Sequence, residues 1–291
     1  MGLARENKKI ASSSEATRAF CCPRPMFRRH LHTQKGFLRQ QLPFCPITHI
    51  NRVMLHTTMN DAEALKKIAG EAACDFVKTG MRVGLGTGST VKYTVLELGR
   101  RIKEEGLDIV GVPTSVATQE LALQVGIPLV ELGSLDGLDI VIDGTDEFDP
   151  QFQLIKGGGA ALLREKIVAQ QSAGMVVVAD DRKQVDCLGA FGIPIEITPF
   201  SCDVTISVLS KLLNCDVELR MDVDHHVLTD NGNCIADAKI GATVDDPLET
   251  EAKILNVAGV VQVGLFNNMC DAVVLASSGG VTTLMNPNGR L

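Results

Sequence analysis

From Asn60 to Ala179 short apolar runs alternate with segments of helical period, and this alternation constrains the fold more than any other feature of the chain. Leu65, Ile68, Ala69, Ala72, Ala73 and Phe76 recur at helical spacing behind a cap at Asn60 or Asp61, and Gly80 closes the predicted helix. Met81–Leu85 is a predicted strand, followed by a Gly-rich turn and a helix with Val91, Val95, Leu98 and Ile102 on one face. Strand Asp108–Val112, helix Ser115–Val125, strands Pro128–Glu131 and Asp139–Asp143, helix Ala160–Gln171 and strand Met175–Ala179 continue the rhythm. The last of these is almost purely apolar, as a strand covered on both faces requires. The pattern implies βαβ units on a parallel sheet, with ligands bound outside the carboxyl ends of the strands.

After residue 192 the rhythm changes. Ile193–Ile197, Val217–Arg220, Val227–Thr229, Cys234–Ile240 and Val260–Leu265 read as strands, with helices over Cys202–Leu213 and from Pro247 through Leu255. Asp230-Asn231-Gly232-Asn233 is a hairpin signal, and His225-His226 reads as a surface turn rather than a metal site. The apolar run Ala272–Ala276 is expected to return to the main sheet. The fold class is therefore α/β: a Rossmann-like parallel-sheet domain over residues 59–192 and 265–291, and a smaller α+β domain over 193–264.

Residues 1–58 have a different character. They hold ten Lys/Arg against Glu6 and Glu15, a net +8, so the formal net charge of −7 averages this leader with a remainder at −15. Arg-rich and acid-poor, the leader has the composition of an organellar transit peptide. A disordered tail, or upstream sequence before a start at Met54 or Met59, accounts for it equally. The acidic remainder argues against a nucleic-acid partner, and no continuous apolar run is long enough to span a bilayer. Nine Cys without CxxC pairs suit reduced thiols in a cytoplasmic compartment, with an organelle the alternative if the leader targets one.

Three motifs follow predicted strand ends. Gly84-Leu-Gly-Thr-Gly-Ser-Thr90 brings bare backbone and the hydroxyls of Thr87, Ser89 and Thr90 to a helix start, which suits a phosphate. It lacks the Lys of a nucleotide P-loop, and Ser89 stands where a dinucleotide fingerprint needs Gly. Asp143-Gly144-Thr145-Asp146-Glu147-Phe148-Asp149 crowds four carboxylates at a strand end, a setting that raises one pKa and suits proton transfer. The EF-hand pattern fails at Phe148 and Leu154; a Mg²⁺ site remains open on spacing, and Asp149-Pro150 reads as a plain turn. In Lys156-Gly157-Gly158-Gly159-Ala-Ala-Leu-Leu-Arg-Glu165-Lys166, three glycines precede a helix. There Lys156 can face a developing oxyanion and Glu165 the same site, while Lys166 reads as a surface charge. Ala179-Asp-Asp-Arg182-Lys183 is a weaker feature, in which either cation could reach an anionic ligand.

Taken in order, GTGST, DGTDE, KGGGAALLREK and ADDRKQ resemble the ribose-5-phosphate isomerases of type A, from about Asp61 to near the C-terminus. The resemblance implies interconversion of D-ribose 5-phosphate and D-ribulose 5-phosphate in the non-oxidative pentose phosphate pathway, with no cofactor and no metal. It implies Glu165 as the base that moves a proton between C2 and C1 through an enediolate. Asp143 and Asp146 would assist ring opening and bind hydroxyls, and Lys156 would stabilise the enediolate oxygen. Thr87, Gly88, Ser89, Thr90, Gly144, Thr145, Gly157, Gly158, Gly159 and Lys183 would bind substrate, with Lys66 a looser candidate for the phosphate. A small-molecule sugar phosphate is the implied ligand, and a homodimer or homotetramer the implied assembly. DGTDE departs from the family's commoner DGADE, placing the Thr145 hydroxyl near the acids, and Leu163 occupies a position often held by Thr. A sugar-phosphate sensor and a CoA-transferase-like enzyme are the competing functions.

Overall fold

The computed structural model describes residues 59–291; the leader, with its targeting and start-site readings, lies outside them. Among the described residues there are six α-helices: α1 (Met59–Ala73), α2 (Val91–Glu105), α3 (Val116–Val125), α4 (Leu162–Gln170), α5 (Cys202–Leu213) and α6 (Pro247–Leu255). None of them is long and apolar enough to cross a membrane.

The main sheet has six strands, in the order Gly280–Met285, Ala272–Ser277, Met175–Asp180, Ile140–Gly144, Arg82–Leu85, Val110–Pro113. All neighbours pair in parallel except the terminal hairpin of Ala272–Ser277 with Gly280–Met285. Side chains alternate between two cores. Val83, Leu85, Ile140, Ile142, Val176, Val178, Ala272 and Val274 share one face with Ala73, Val91, Val95, Leu98 and Ala122 of the α1–α3 layer. Val141, Met175, Val177, Ala179 and Val273 face Leu162, Val168 and Ala169 of α4. A strand apolar at every position is thus consumed on both sides.

A four-stranded antiparallel sheet follows, in the order Val260–Val263, Ile193–Ile197, Cys234–Ala238, Val217–Leu219. With Leu209 of α5 and Ile254 of α6 it encloses a third core. Between the two large sheets runs a three-stranded piece, Leu265–Phe266, Leu154–Ile155, Glu147–Phe148.

Several expected elements differ. Pro128–Glu131 contributes only a single bridge, Leu129 to Gly111, at the edge of the main sheet. Val227–Thr229 likewise pairs only through Leu228 and Cys234, while His225–His226 forms a short exposed ribbon with Met221–Asp222 instead of a turn. The expected strand Val260–Leu265 is cut at Gly264, where the chain leaves one sheet for another. A Cβ there would lie 2.1 Å from the Lys156 carbonyl oxygen, so only glycine permits the crossing. The Gly280–Met285 strand escaped the sequence reading because most of its residues are exposed and it carries no apolar face. Helix α1 ends at Ala73 and tightens into a 3₁₀ turn over Cys74–Phe76, ahead of Gly80.

Candidate active site

The site assembles where three strand ends meet. Asp143 closes the Ile140–Gly144 strand and is fully buried. Its Oδ1 accepts hydrogen bonds from the Thr87 N–H (3.0 Å) and the Gly144 N–H (2.7 Å). The neighbouring loop can come this close because Gly86 has no side chain: a Cβ would sit 2.2 Å from Asp143 Oδ1. Lys156 follows the Leu154–Ile155 strand and Glu165 lies in the first turn of α4; they are 2% and 4% exposed.

Lys156 Nζ stands between the two acids, 3.2 Å from Asp143 Oδ2 and 3.3 Å from Glu165 Oε2. Its directed hydrogen bond goes to the Gly144 carbonyl, and its ammonium also lies 5.3 Å from the centre of the Phe266 ring. Asp143 Oδ2 and Glu165 Oε2 are therefore buried with a cation nearby but no directed donor. Such oxygens retain acceptor capacity for a ligand's hydroxyl groups or proton.

With both buried carboxylates ionised, their one shared lysine would leave a net negative charge in a dry site. Burial, reinforced by the Asp143 charge, pushes the Glu165 carboxyl up to about 8, against the pull of Lys156. Burial also raises Asp143, opposed chiefly by Lys156. Burial alone would lower the Lys156 ammonium, but Asp143 and Glu165 together raise it, so the lysine stays charged. The arrangement is a proton reservoir flanked by a fixed cation.

These groups border a cleft of about 490 Å³. Thr87, Gly88, Ser89, Thr90, Gly144, Thr145, Asp146, Lys156, Gly157, Gly158, Gly159, Glu165 and Lys183 all line it, as does Lys66 from α1. Asp143 lies beneath the wall and meets the cleft through Lys156. Asp146 is held by the Gly158 N–H at 2.7 Å. Glu147, Arg182 and Phe191 complete the lining. The buried Glu147 carboxylate accepts the N–H groups of Gly189 and Phe191, fixing the segment that carries Phe191. Lys183 Nζ lies 5.9 Å from the Phe191 ring centre, whereas Arg182 is held in a two-point pair with Asp180. Glu147 was visible in the sequence only as one of four acids, and nothing there marked Phe191.

Three residues behave differently from the sequence expectation. The Thr87 hydroxyl turns from the cleft into a cluster with Thr114 (2.7 Å) and Ser115 (2.8 Å), leaving Ser89 and Thr90 as the loop's free hydroxyls. The Thr145 hydroxyl donates to the carbonyls of Glu147 and Ile155, so it braces the turn rather than touching an acid. Lys166 is no surface charge. It is 2% exposed, and its ammonium meets Glu251 Oε1, Gln262 Oε1 and the carbonyls of Val263 and Leu265. Among the described residues no three His, Cys, Asp or Glu side chains group as metal ligands, and every cysteine is free.

The chain is similar to several proteins of one family. The family model described as ribose 5-phosphate isomerase A (phosphoriboisomerase A) matches residues 110–280. The ribose-5-phosphate isomerase A of Bacillus mycoides is 46% identical over 217 residues, covering 75% of this chain and 97% of that protein. The protein of the same name from Roseobacter denitrificans is 43% identical over 240 residues, 80% of this chain and 91% of that one. Among solved structures, ribose 5-phosphate isomerase from Plasmodium falciparum superimposes with a TM-score of 0.75 at 39% identity, covering 77% of this chain and 99% of that one. A D-ribose-5-phosphate isomerase solved in complex with phospho-erythronic acid gives 0.74 at 42% identity, covering 77% and 98%. On this evidence the chain belongs to the ribose 5-phosphate isomerase A family.

Proposed function

We propose that this protein interconverts D-ribose 5-phosphate and D-ribulose 5-phosphate by proton transfer through an enediolate, in the non-oxidative branch of the pentose phosphate pathway. The observation that carries the reading is the buried Asp143–Lys156–Glu165 cluster at the wall of a cleft lined by glycine backbone. Aldose–ketose isomerisation needs a base that removes the C2 proton, returns it to C1 and gives up a proton as easily as it takes one. A carboxyl pushed up to about 8 by burial meets that need near neutral pH.

Glu165 is the proposed base. When ionised it takes the C2 proton, and the electron pair moves into a C1–C2 double bond as the carbonyl oxygen becomes an alkoxide. Lys156 offsets that negative charge, the C2 hydroxyl proton passes to O1, and as the O2 electron pair forms the new carbonyl at C2 the Glu165 carboxyl returns its proton to C1 to give the ketose. The ammonium occupies the position between the carboxylates that a metal ion would otherwise take, which supports a metal-free step. Asp146, on the cleft wall, is assigned to take the anomeric hydroxyl proton and return it to the ring oxygen during ring opening, while Asp143 acts from behind by holding Lys156. The phosphate is assigned to the start of α2, where Ser89 and Thr90 offer hydroxyls, with Lys183 and Lys66 on the same cleft. Phospho-erythronic acid, bound by the relative at 42% identity, joins a phosphate to a planar carboxylate that mimics an enediolate.

Purified protein incubated with ribose 5-phosphate and EDTA in D₂O should form ribulose 5-phosphate carrying deuterium at C1 by NMR. Absence of conversion rejects the function, and turnover that needs an added divalent cation rejects the metal-free step.

A further inference from the structure

Arg220 follows the Val217–Leu219 strand of the four-stranded sheet, yet its side chain reaches the glycine loop beside the catalytic lysine. One guanidinium nitrogen, NH1, donates to the Gly157 carbonyl at 2.8 Å and to the Gly158 carbonyl at 3.0 Å. The other edge, Nε and NH2, grips both carboxylate oxygens of Asp237, and the Arg220 side chain is only 16% exposed. Such a planar, two-point clamp leaves the guanidinium little freedom.

The peptide geometry gives this contact a consequence at the site. In a trans peptide the C=O and the N–H point in opposite directions. The Gly157–Gly158 peptide gives its oxygen to Arg220 and its N–H to Asp146 Oδ2, at 2.7 Å. The next peptide gives its oxygen to Arg220, and its Gly159 N–H finds no acceptor among the described residues while Gly159 lines the cleft. A cation on the carbonyl also polarises each peptide and strengthens the donor on its far side. Gly157 has φ +111°, a conformation that glycine tolerates but does not by itself select; the turn bond from the Ala160 N–H to the Gly157 carbonyl (3.0 Å) and the Arg220 clamp hold it together.

We propose that Arg220, clamped by Asp237, is a positioning residue that fixes the two glycine peptides whose N–H groups face Asp146 and the reacting end of the substrate. The proposal rests on the isomerase reading above. Arg220 does not touch substrate; it acts through the loop.

The test compares Arg220→Met, Arg220→Lys and Asp237→Asn with the unmodified protein, reading kcat, KM and two competitive inhibitors. Phospho-erythronic acid probes the reacting end, and inorganic phosphate probes the start of α2. Loss of a direct oxyanion donor costs about 10²–10³ in rate, and an indirect loss should be smaller. Arg220→Met should therefore lower kcat roughly tenfold to a hundredfold and weaken phospho-erythronic acid by a similar factor, with inhibition by phosphate changed less than about twofold. Arg220→Lys and Asp237→Asn should move the same quantities in the same direction by smaller factors, and they carry the test if Arg220→Met fails to fold. A merely structural tie between sheets would lower thermal stability and leave this split absent. Unchanged kcat in a folded variant, or equal weakening of both inhibitors, overturns the proposal. Should the unmodified protein show no turnover, the isomerase reading fails, and calorimetric titration with phospho-erythronic acid still reads the Arg220 effect.

Discussion

Replacing Glu165 by Gln should cost activity and gain stability, and the size of the gain follows from burial. In the unfolded chain this carboxyl titrates near 4.5, and in the folded site it rises to about 8. Between those values the unfolded state releases a proton that the folded state keeps, so unfolding becomes easier as pH rises. The penalty is absent below about pH 4.5, grows through the window and is complete above pH 8. At about 1.4 kcal/mol per unit, the shift corresponds to a few kcal/mol, with about 5 kcal/mol as the upper bound. A glutamine keeps the shape and carries no charge, so the variant should escape the penalty. Urea unfolding followed by circular dichroism at pH 5 and pH 8.5 measures it. The variant should lie within about 1 kcal/mol of the parent at pH 5 and exceed it by a few kcal/mol at pH 8.5, while kcat falls about 10²–10⁴-fold. A variant that is no more stable at pH 8.5, or that keeps the parent's full pH dependence, refutes the assignment of Glu165 as the strained, charge-starved group of the cluster.

Other outcomes follow from the same geometry. In the parent, kcat/KM should rise with pH through an apparent value near 8, because the base acts only when ionised; a profile flat from pH 6 to 9 would count against it. Lys156→Met strands two buried carboxylates, so it should lower kcat about 10²–10³-fold and lose more stability at pH 8.5 than at pH 5 in the same urea assay. Gly86→Ala pushes a methyl group to within 2.2 Å of Asp143 Oδ1, and should lower kcat/KM at least roughly tenfold in steady-state assays. Lys166→Met removes a buried cation from four acceptors and should destabilise the protein by about 3–5 kcal/mol, measured as a lowered urea midpoint.

Much of the site was legible because each motif follows a strand of the main sheet or its short extension, and those ends converge on one rim. Asp143, Lys156 and Glu165 stood out by residue type in glycine-rich surroundings. Their mutual distances were not legible, since they depend on the Leu154–Ile155 strand pairing with both Glu147–Phe148 and Leu265–Phe266. Strands of two residues are too short to show a period of two. The fate of Thr87 was hidden for a similar reason: its hydroxyl partners, Thr114 and Ser115, come from the end of the next strand and the cap of α3. Pro128–Glu131 has the composition of a strand, but it lies at a sheet edge where one bridge suffices, and pattern alone does not count partners.

The adjacent charges Glu165 and Lys166 show what sequence polarity conceals on a helix. Successive helical residues point about 100° apart, so the two side chains leave α4 in different directions. Glu165 enters the cleft, while Lys166 runs beneath the Leu265–Phe266 strand and ties α4 to α6 through Glu251. The Phe266 ring lies near both ammoniums, 5.3 Å from Lys156 Nζ and 5.0 Å from Lys166 Nζ. Burial lowers the Lys166 ammonium against the pull of Glu251, so holding this charge inside the protein has a cost. That cost is intelligible as directional control. An apolar residue at position 166 makes no directed contact, whereas an ammonium with four fixed acceptors adds a directional tie to the packing of Leu162, Val168 and Ala169 that holds α4. A proton transfer needs its base placed to within about half an ångström, and α4 carries both the proposed base and a charge that ties the helix to its neighbours.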